Sequence, residues 1–174
     1  FVLGLVLLVP RFLQLAGLIT SFTIAHSITL GLASLDIFVL PAALIEPLIA
    51  LSIVYVGIEN IAALARARTH ADFQLDRSAL SRRWISSFAF GLVHGFGFSY
   101  MLREVGLPPG ALLPSLAMFN VGVELGQLCV VVAPYIAFQR LLRGSWAFRY
   151  LSGSLSVAIA ALGVFWLLER WPVP

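Results

Sequence analysis

The sequence contains no lysine and a single cysteine, Cys129, and only 11% of its 174 residues are charged. So little charge among so many apolar residues excludes a disordered chain, which needs low hydrophobicity and high net charge. One cysteine excludes a disulfide scaffold. The short-period alternation of a lipid-facing β-strand is also missing. The apolar runs are instead about 20 residues long, which argues against a β-barrel and for membrane-crossing helices. What is present confirms the direction: 60% of residues are hydrophobic and the mean hydropathy is +0.99. A soluble domain is roughly 45–50% apolar and about 25% charged. A core of this size cannot hide that excess, so the expected partner is the lipid bilayer. The expected fold is all-α, a polytopic transmembrane helix bundle forming one domain over residues 1–174.

The chain divides into about five complete helices, preceded by a short apolar piece. Phe1 to Val9 is too short to span and reads as the tail of a truncated first helix, ended by Pro10-Arg11. The runs that follow predict helices from Gln14 to Leu35, Pro41 to Leu64, Trp84 to Leu102, Leu112 to Leu142 and Trp146 to Leu168. Pro47 and Pro134 fall inside two of them and predict kinks. Pro108-Pro109-Gly110 and Gly144-Ser145 mark turns.

All 11 cationic residues are arginines, and the net charge is +3. No aromatic-basic stripe or soluble module accompanies them, so nucleic acid is not an expected partner. They fall in short loops, where they report orientation. With the polar stretch from Arg66 to Arg83 in the cytoplasm, nine are inside and only Arg103 and Arg170 are outside. The C-terminus is then expected outside. Trp146, Trp166 and Trp171 then lie near the interfaces that indoles prefer.

Ionisable groups at the centre of a membrane helix cost about 2.5–3.5 kcal/mol on insertion scales, so those present are functional leads. They are His26, Glu46, Glu59, His94 and Glu124, with the amides Asn60, Asn120 and Gln127 beside them. Thr23, His26 and Thr29 repeat at intervals of three, so hydroxyls flank the imidazole. These hydroxyls either bond the helix's own carbonyls or serve a ligand or proton relay. Glu46 stands near one end of its helix, as a gate-level or merely interfacial acid. Glu59 is 13 residues on, about 20 Å along a helix, so one ion cannot bridge the pair. Ser52, Tyr55 and Glu59 share a face. Gly91, Gly95 and Ser99 form a small-residue stripe suited to helix packing, with His94 beside it. Asn120, Glu124 and Gln127 lie on one face of the fifth helix. They line a cavity or ion path, or else form an interhelical hydrogen-bond network.

His26, Glu59, His94 and Glu124, on four helices, are therefore expected to converge. Imidazole with carboxylate suits a first-row divalent ion such as Ni²⁺, Co²⁺ or Zn²⁺. It also suits proton transfer, and the two histidines alone could ligate a haem. No nucleophile is convincing: Ser99 lacks a G-x-S-x-G setting, and Cys129 has no base nearby in sequence.

At these residues the sequence resembles the HupE/UreJ family of bacterial membrane proteins, in its second, broader branch. The resemblance is carried in order by Phe22-Thr23-Ile24-Ala25-His26-Ser27-Ile28-Thr29-Leu30, Ile45-Glu46, Ala50-Leu51-Ser52-Ile53 and Glu59-Asn60. It continues through Phe90-Gly91-Leu92-Val93-His94-Gly95-Phe96-Gly97-Phe98 and Phe119-Asn120-Val121-Gly122-Val123-Glu124-Leu125-Gly126-Gln127. It implies a small permease-like protein, linked in the better-known branch to nickel or cobalt supply for hydrogenase and urease. That branch carries a histidine and an acid where this sequence has Phe98 and Met101.

Two readings follow. One is a permease for a divalent transition metal, with His26, Glu59, His94 and Glu124 as ligands and Asn60, Asn120 and Gln127 in support. It lacks a nucleotide motif and is not an enzyme. The other is a non-transporting structural or assembly subunit, packed against membrane-protein partners or a second copy of itself.

The arginine split makes a direct prediction. A cysteine introduced at Gln74 should be labelled only from the cytoplasmic side and one at Gly110 only from outside. Labelling of Gln74 by an impermeant reagent added outside would invert the topology.

Overall fold

A computed structural model describes residues 1–66, 77–105 and 111–171. The middle of the expected polar loop and the expected Pro108–Gly110 turn lie outside those residues. Among the described residues the chain is helical throughout, without strands. The helices are α1 (Val2–Val6), α2 (Phe12–Ser34), α3 (Ala42–Arg66), α4 (Arg77–Val105), α5 (Leu112–Tyr135, continued by a π-helical segment Ile136–Leu142) and α6 (Trp146–Glu169). Four spans are long and apolar enough to cross a membrane: α2, α3, α5 with its extension, and α6. The fifth long helix, α4, is diluted by glycine, serine and His94, and its small residues are what bring it close to α2.

That approach organises the bundle. A Cβ at Gly91 would collide with the Phe22 carbonyl, and one at Gly95 with the Thr29 hydroxyl and the His26 carbonyl. Ser87 Oγ donates to the Leu18 carbonyl at 2.7 Å, so the two helices run parallel and nearly touch along their backbones. This is the packing role expected of the Gly91, Gly95, Ser99 stripe. On the other side α3 meets α6 in the same way. Gly57 lies against Ser156 and Ala160, and Gly163 against Ala50 and Val54. The second small pair, Gly122 and Gly126 on α5, has no neighbour within 4 Å.

The first apolar piece sits in the middle of this arrangement. Leu5, Val6, Leu7, Leu8 and Val9 are all buried, packed with Leu15, Leu18, Ile19, Val56, Val131 and Tyr135 or with Leu64 and Phe148. A helix that ends inside an apolar interior leaves carbonyls without partners, and each must be satisfied by protein. Asn60 Nδ2 donates to the Gly4 carbonyl at 2.8 Å. Gln139 Nε2 donates to the Val6 and Leu7 carbonyls at 3.2 and 2.8 Å. The Tyr135 hydroxyl donates to the Pro10 carbonyl at 3.1 Å.

Gln139 belongs to the π-helical segment that follows Pro134. Proline removes one backbone donor from the ladder. A π-helical segment follows, and its wider turns carry Gln139 to α1. α3 runs unbroken through Pro47. Gly144, at a φ of +83°, turns the chain into α6. Ser145 caps that helix by accepting from the Phe148 amide at 3.1 Å.

One boundary differs from expectation. α4 begins at Arg77, seven residues before Trp84, so Arg82 and Arg83 are helical rather than part of the loop. Arg83 is wholly buried. The cause is its register: Arg83, Ser87, Gly91, Gly95 and Ser99 recur every four residues, so Arg83 heads the face that turns inward.

The surface of α5 and α6 is apolar. Leu113, Met118, Leu125 and Val130 on α5 and Val157, Phe165 and Leu168 on α6 are exposed, as suits contact with hydrocarbon. Because a Cβ at Gly95 meets backbone, Gly95→Val should lower stability by about 1–3 kcal/mol. Gly122→Val, which meets open space, should leave it unchanged. Thermal unfolding in detergent micelles reads both, and equal losses would contradict the packing described.

Candidate functional site

The four ionisable groups expected to converge do not meet at one point. Among the described residues no group of three or more histidine, cysteine, aspartate or glutamate side chains is arranged to hold a metal ion. Both imidazoles stand against Phe22, but His94 bonds toward α3 and His26 toward α5.

His94 turns toward α3. Its Nε2 lies 3.0 Å from Ser52 Oγ. Ser52 donates its only proton to the Ile49 carbonyl at 2.6 Å. The hydroxyl can therefore only accept from the ring, which places the His94 proton on Nε2 and leaves Nδ1 as the basic nitrogen. His94 also lines a cavity of about 610 Å³ between α3, α4 and α6. At its mouth Glu46 pairs with Arg170 at 3.4 Å, both partly exposed. Arg170 also lies 5.6 Å from the centre of the Trp166 ring, which lines the same cavity. Tyr100 donates to the Leu40 carbonyl nearby. The cavity thus leads from a charged mouth at the Arg170 end to an imidazole half-way along α4.

His26 turns toward α5 and is buried. Its Nδ1 lies 3.2 Å from Asn120 Oδ1, while Asn120 Nδ2 donates to the Leu116 carbonyl at 2.9 Å. An amide oxygen only accepts, so His26 carries its proton on Nδ1. Its Nε2 is buried and has no hydrogen-bond partner. Phe22 stands against both histidines, its ring centre 6.2 Å from that of His26 and 5.1 Å from that of His94.

The polar face of α5 continues the contact with α2. The Thr20 hydroxyl donates to Glu124 Oε1 at 2.6 Å. The Thr23 hydroxyl bonds its own helix at the Ile19 carbonyl, 3.1 Å away, and lies 3.4 Å from Gln127 Oε1. Thr29 likewise bonds its own helix, at the Ala25 and His26 carbonyls. Of the two expected roles for Asn120, Glu124 and Gln127, the structure displays the interhelical network.

Glu59 lies apart from the histidines. Its Oε2 is 3.6 Å from Arg83 Nε, and the acid is 13% exposed against 0% for the arginine. Arg83 Nη2 donates to Asn60 Oδ1 at 2.6 Å, and Asn60 passes the chain on to the Gly4 carbonyl. A guanidinium this close competes with any cation for the carboxylate, so Glu59 stands as the counter-ion of a buried arginine. Arg83, Gln139 and Arg170 were not singled out from the sequence. For Arg83 the four-residue spacing with Ser87, Gly91 and Gly95 was the available signal. Gln139 had only its apolar surroundings.

The HupE/UreJ protein family profile matches residues 1–170. The chain belongs to the HupE/UreJ family. No significant match is found among curated proteins or among solved structures. The family match spans every helix described above, so the cavity and the α2–α5 ladder both lie within the family's own region. The HupE/UreJ chain is a membrane protein in which His94 bonds to α3, His26 and Glu124 bond across the α2–α5 contact, and Arg83 pairs with Glu59.

Removing one partner of a buried ion pair leaves an uncompensated charge and costs about 3–5 kcal/mol. Glu59→Gln should therefore destabilise the protein strongly. Glu59→Gln combined with Arg83→Met should recover much of that loss. A double-mutant cycle on unfolding in micelles measures the coupling. Additive losses would show that the pair is not coupled.

Proposed function

We propose that this chain is a permease for a divalent transition-metal cation of the nickel or cobalt type, in a bacterial inner membrane. The observation that carries the reading is the cavity running from the Glu46–Arg170 pair to His94. A cation reaching its base meets a neutral imidazole whose proton is held on Nε2 by Ser52. The Nδ1 lone pair is then free to bind, and neutral imidazole is a preferred ligand for these metals. His26 offers a second bare nitrogen on the other side of Phe22. The metal is substrate rather than resident cofactor, and passage requires it to be held briefly and by few ligands. Two separated imidazoles suit that better than a four-ligand cage.

The orientation read from the arginines puts the cavity mouth outside, which makes the direction uptake. The family's association with nickel and cobalt supports the choice of ion. The test is accumulation of Ni²⁺ or Co²⁺ by proteoliposomes loaded with a metal-quenched fluorophore. His94→Ala should abolish accumulation while the protein still inserts and elutes as a folded species. Ser52→Ala frees the ring to adopt the other tautomer and should weaken metal affinity about 10–100-fold, the range for loss of a ligand's orienting partner. Wild-type accumulation in His94→Ala would reject the permease and leave the structural or assembly-subunit reading in front.

A further inference from the structure

A second groove lies where α3 finishes and α6 begins, at the opposite end of these helices from the mouth of the His94 cavity. Its volume is about 510 Å³, and it is lined by Ile61 and Leu64 of α3 and by Arg149, Tyr150, Gly153 and Val157 of α6. The lining changes character along its length. Arg149 and Tyr150 belong to the first two turns of α6. Val157 stands eight residues beyond Arg149, about 12 Å further along the helix. Ser154 adds a hydroxyl between them. Among the described residues no acid lines the groove.

We infer that this groove is a binding site for one anionic phospholipid, whose phosphate is held by Arg149 and whose acyl chain lies against Ile61, Leu64 and Val157. Two aromatic rings set the depth. Trp146 and Tyr150 meet edge to face at 5.9 Å and are exposed. Indole and phenol rings sit at the headgroup level of a bilayer. Arg149 leaves the helix between them and so stands at the level of lipid phosphate. Its planar fork of donors suits two phosphate oxygens at once. The Tyr150 and Ser154 hydroxyls can donate to others. Basic pockets between membrane helices are where anionic headgroups are recognised. A zwitterionic lipid brings its own cation to the same place, so the guanidinium favours the anionic one. A soluble phosphate would occupy the polar half alone and leave the apolar half in water. Only a lipid satisfies both halves.

Gly153 makes the room. A Cβ built there meets nothing within 4 Å, whereas one at Gly163 on the same helix meets Val54 and the Ala50 carbonyl of α3. Glycine within a helix is unfavourable relative to alanine. At Gly163 close packing requires it, and at Gly153 no packing does. The side chain missing at Gly153 leaves the floor of the groove open. Arg66, the last residue of α3, and Arg140, in the π-helical segment, are exposed at the same end of the bundle but do not line the groove. The site does not depend on the permease reading.

Native mass spectrometry tests it, on the full-length protein released from micelles that contain phosphatidylglycerol and phosphatidylcholine in equal amounts. One phosphatidylglycerol should stay bound in preference to phosphatidylcholine. Arg149→Gln should lower that preference about fivefold, the weight of one cation near an anionic surface. Arg140→Gln should leave it unchanged. Gly153→Leu fills the groove and should lose the bound lipid. Its unfolding temperature without lipid should match the wild type, because the new side chain enters open space. Inorganic phosphate at matched ionic strength should not displace the lipid. Equal retention of the two lipids by the wild type, or an unchanged preference in Arg149→Gln, would overturn the inference. So would an equal loss in Arg140→Gln, which would mean diffuse attraction to the whole basic end. Full retention in Gly153→Leu would place the lipid elsewhere, and displacement by phosphate would give the groove to a soluble anion.

Discussion

The contact between α2 and α4 at Gly91 and Gly95 decides where the intramembrane polar groups go. At Gly91 and Gly95 the two parallel helices come so close that an added Cβ would collide with α2. In a bilayer such contacts replace the hydrophobic effect as a source of association, since lipid is as apolar as the helix surface. The consequence is geometric. His26 and His94 are at similar depth on neighbouring helices, yet one is directed to Asn120 on α5 and the other to Ser52 on α3.

Satisfaction of polar groups governs the rest of the interior. The end of α1 is buried, and its carbonyls draw in Asn60, Gln139 and Tyr135 from α3, the π-helical segment and α5. Asn60 in turn holds Arg83, and Arg83 holds Glu59. The buried end of α1 thus accounts for a chain of polar residues that would otherwise look like a site. Buried networks of this kind are costly to break and specify a single arrangement. His94 at its cavity and Glu124 with Thr20 stand outside that chain.

Much of the architecture was legible from the pattern alone. Apart from the start of α4, the long helices lie within a few residues of the expected ranges, because runs of about 20 apolar residues have few alternatives in a membrane. The polar leads were also legible, since a histidine or glutamate in such a run stands out against its surroundings. Their grouping was not. Glu124 and His26 share an interface, as the helix-face spacing suggested, whereas Glu59 is taken by an arginine expected in the loop. Spacing identifies the face of one helix but does not say which neighbour that face meets.

The sequence by itself therefore determined the membrane setting, the helix count, the family and the small set of polar residues able to act. Each follows from composition or from order along one chain, where local physics suffices. Tertiary structure decided which of those residues stand together, which nitrogen of each imidazole carries its proton, and which carboxylates are held by arginine. Those are properties of contacts between helices, set by glycine approach and by which polar groups of neighbouring helices come within reach of one another.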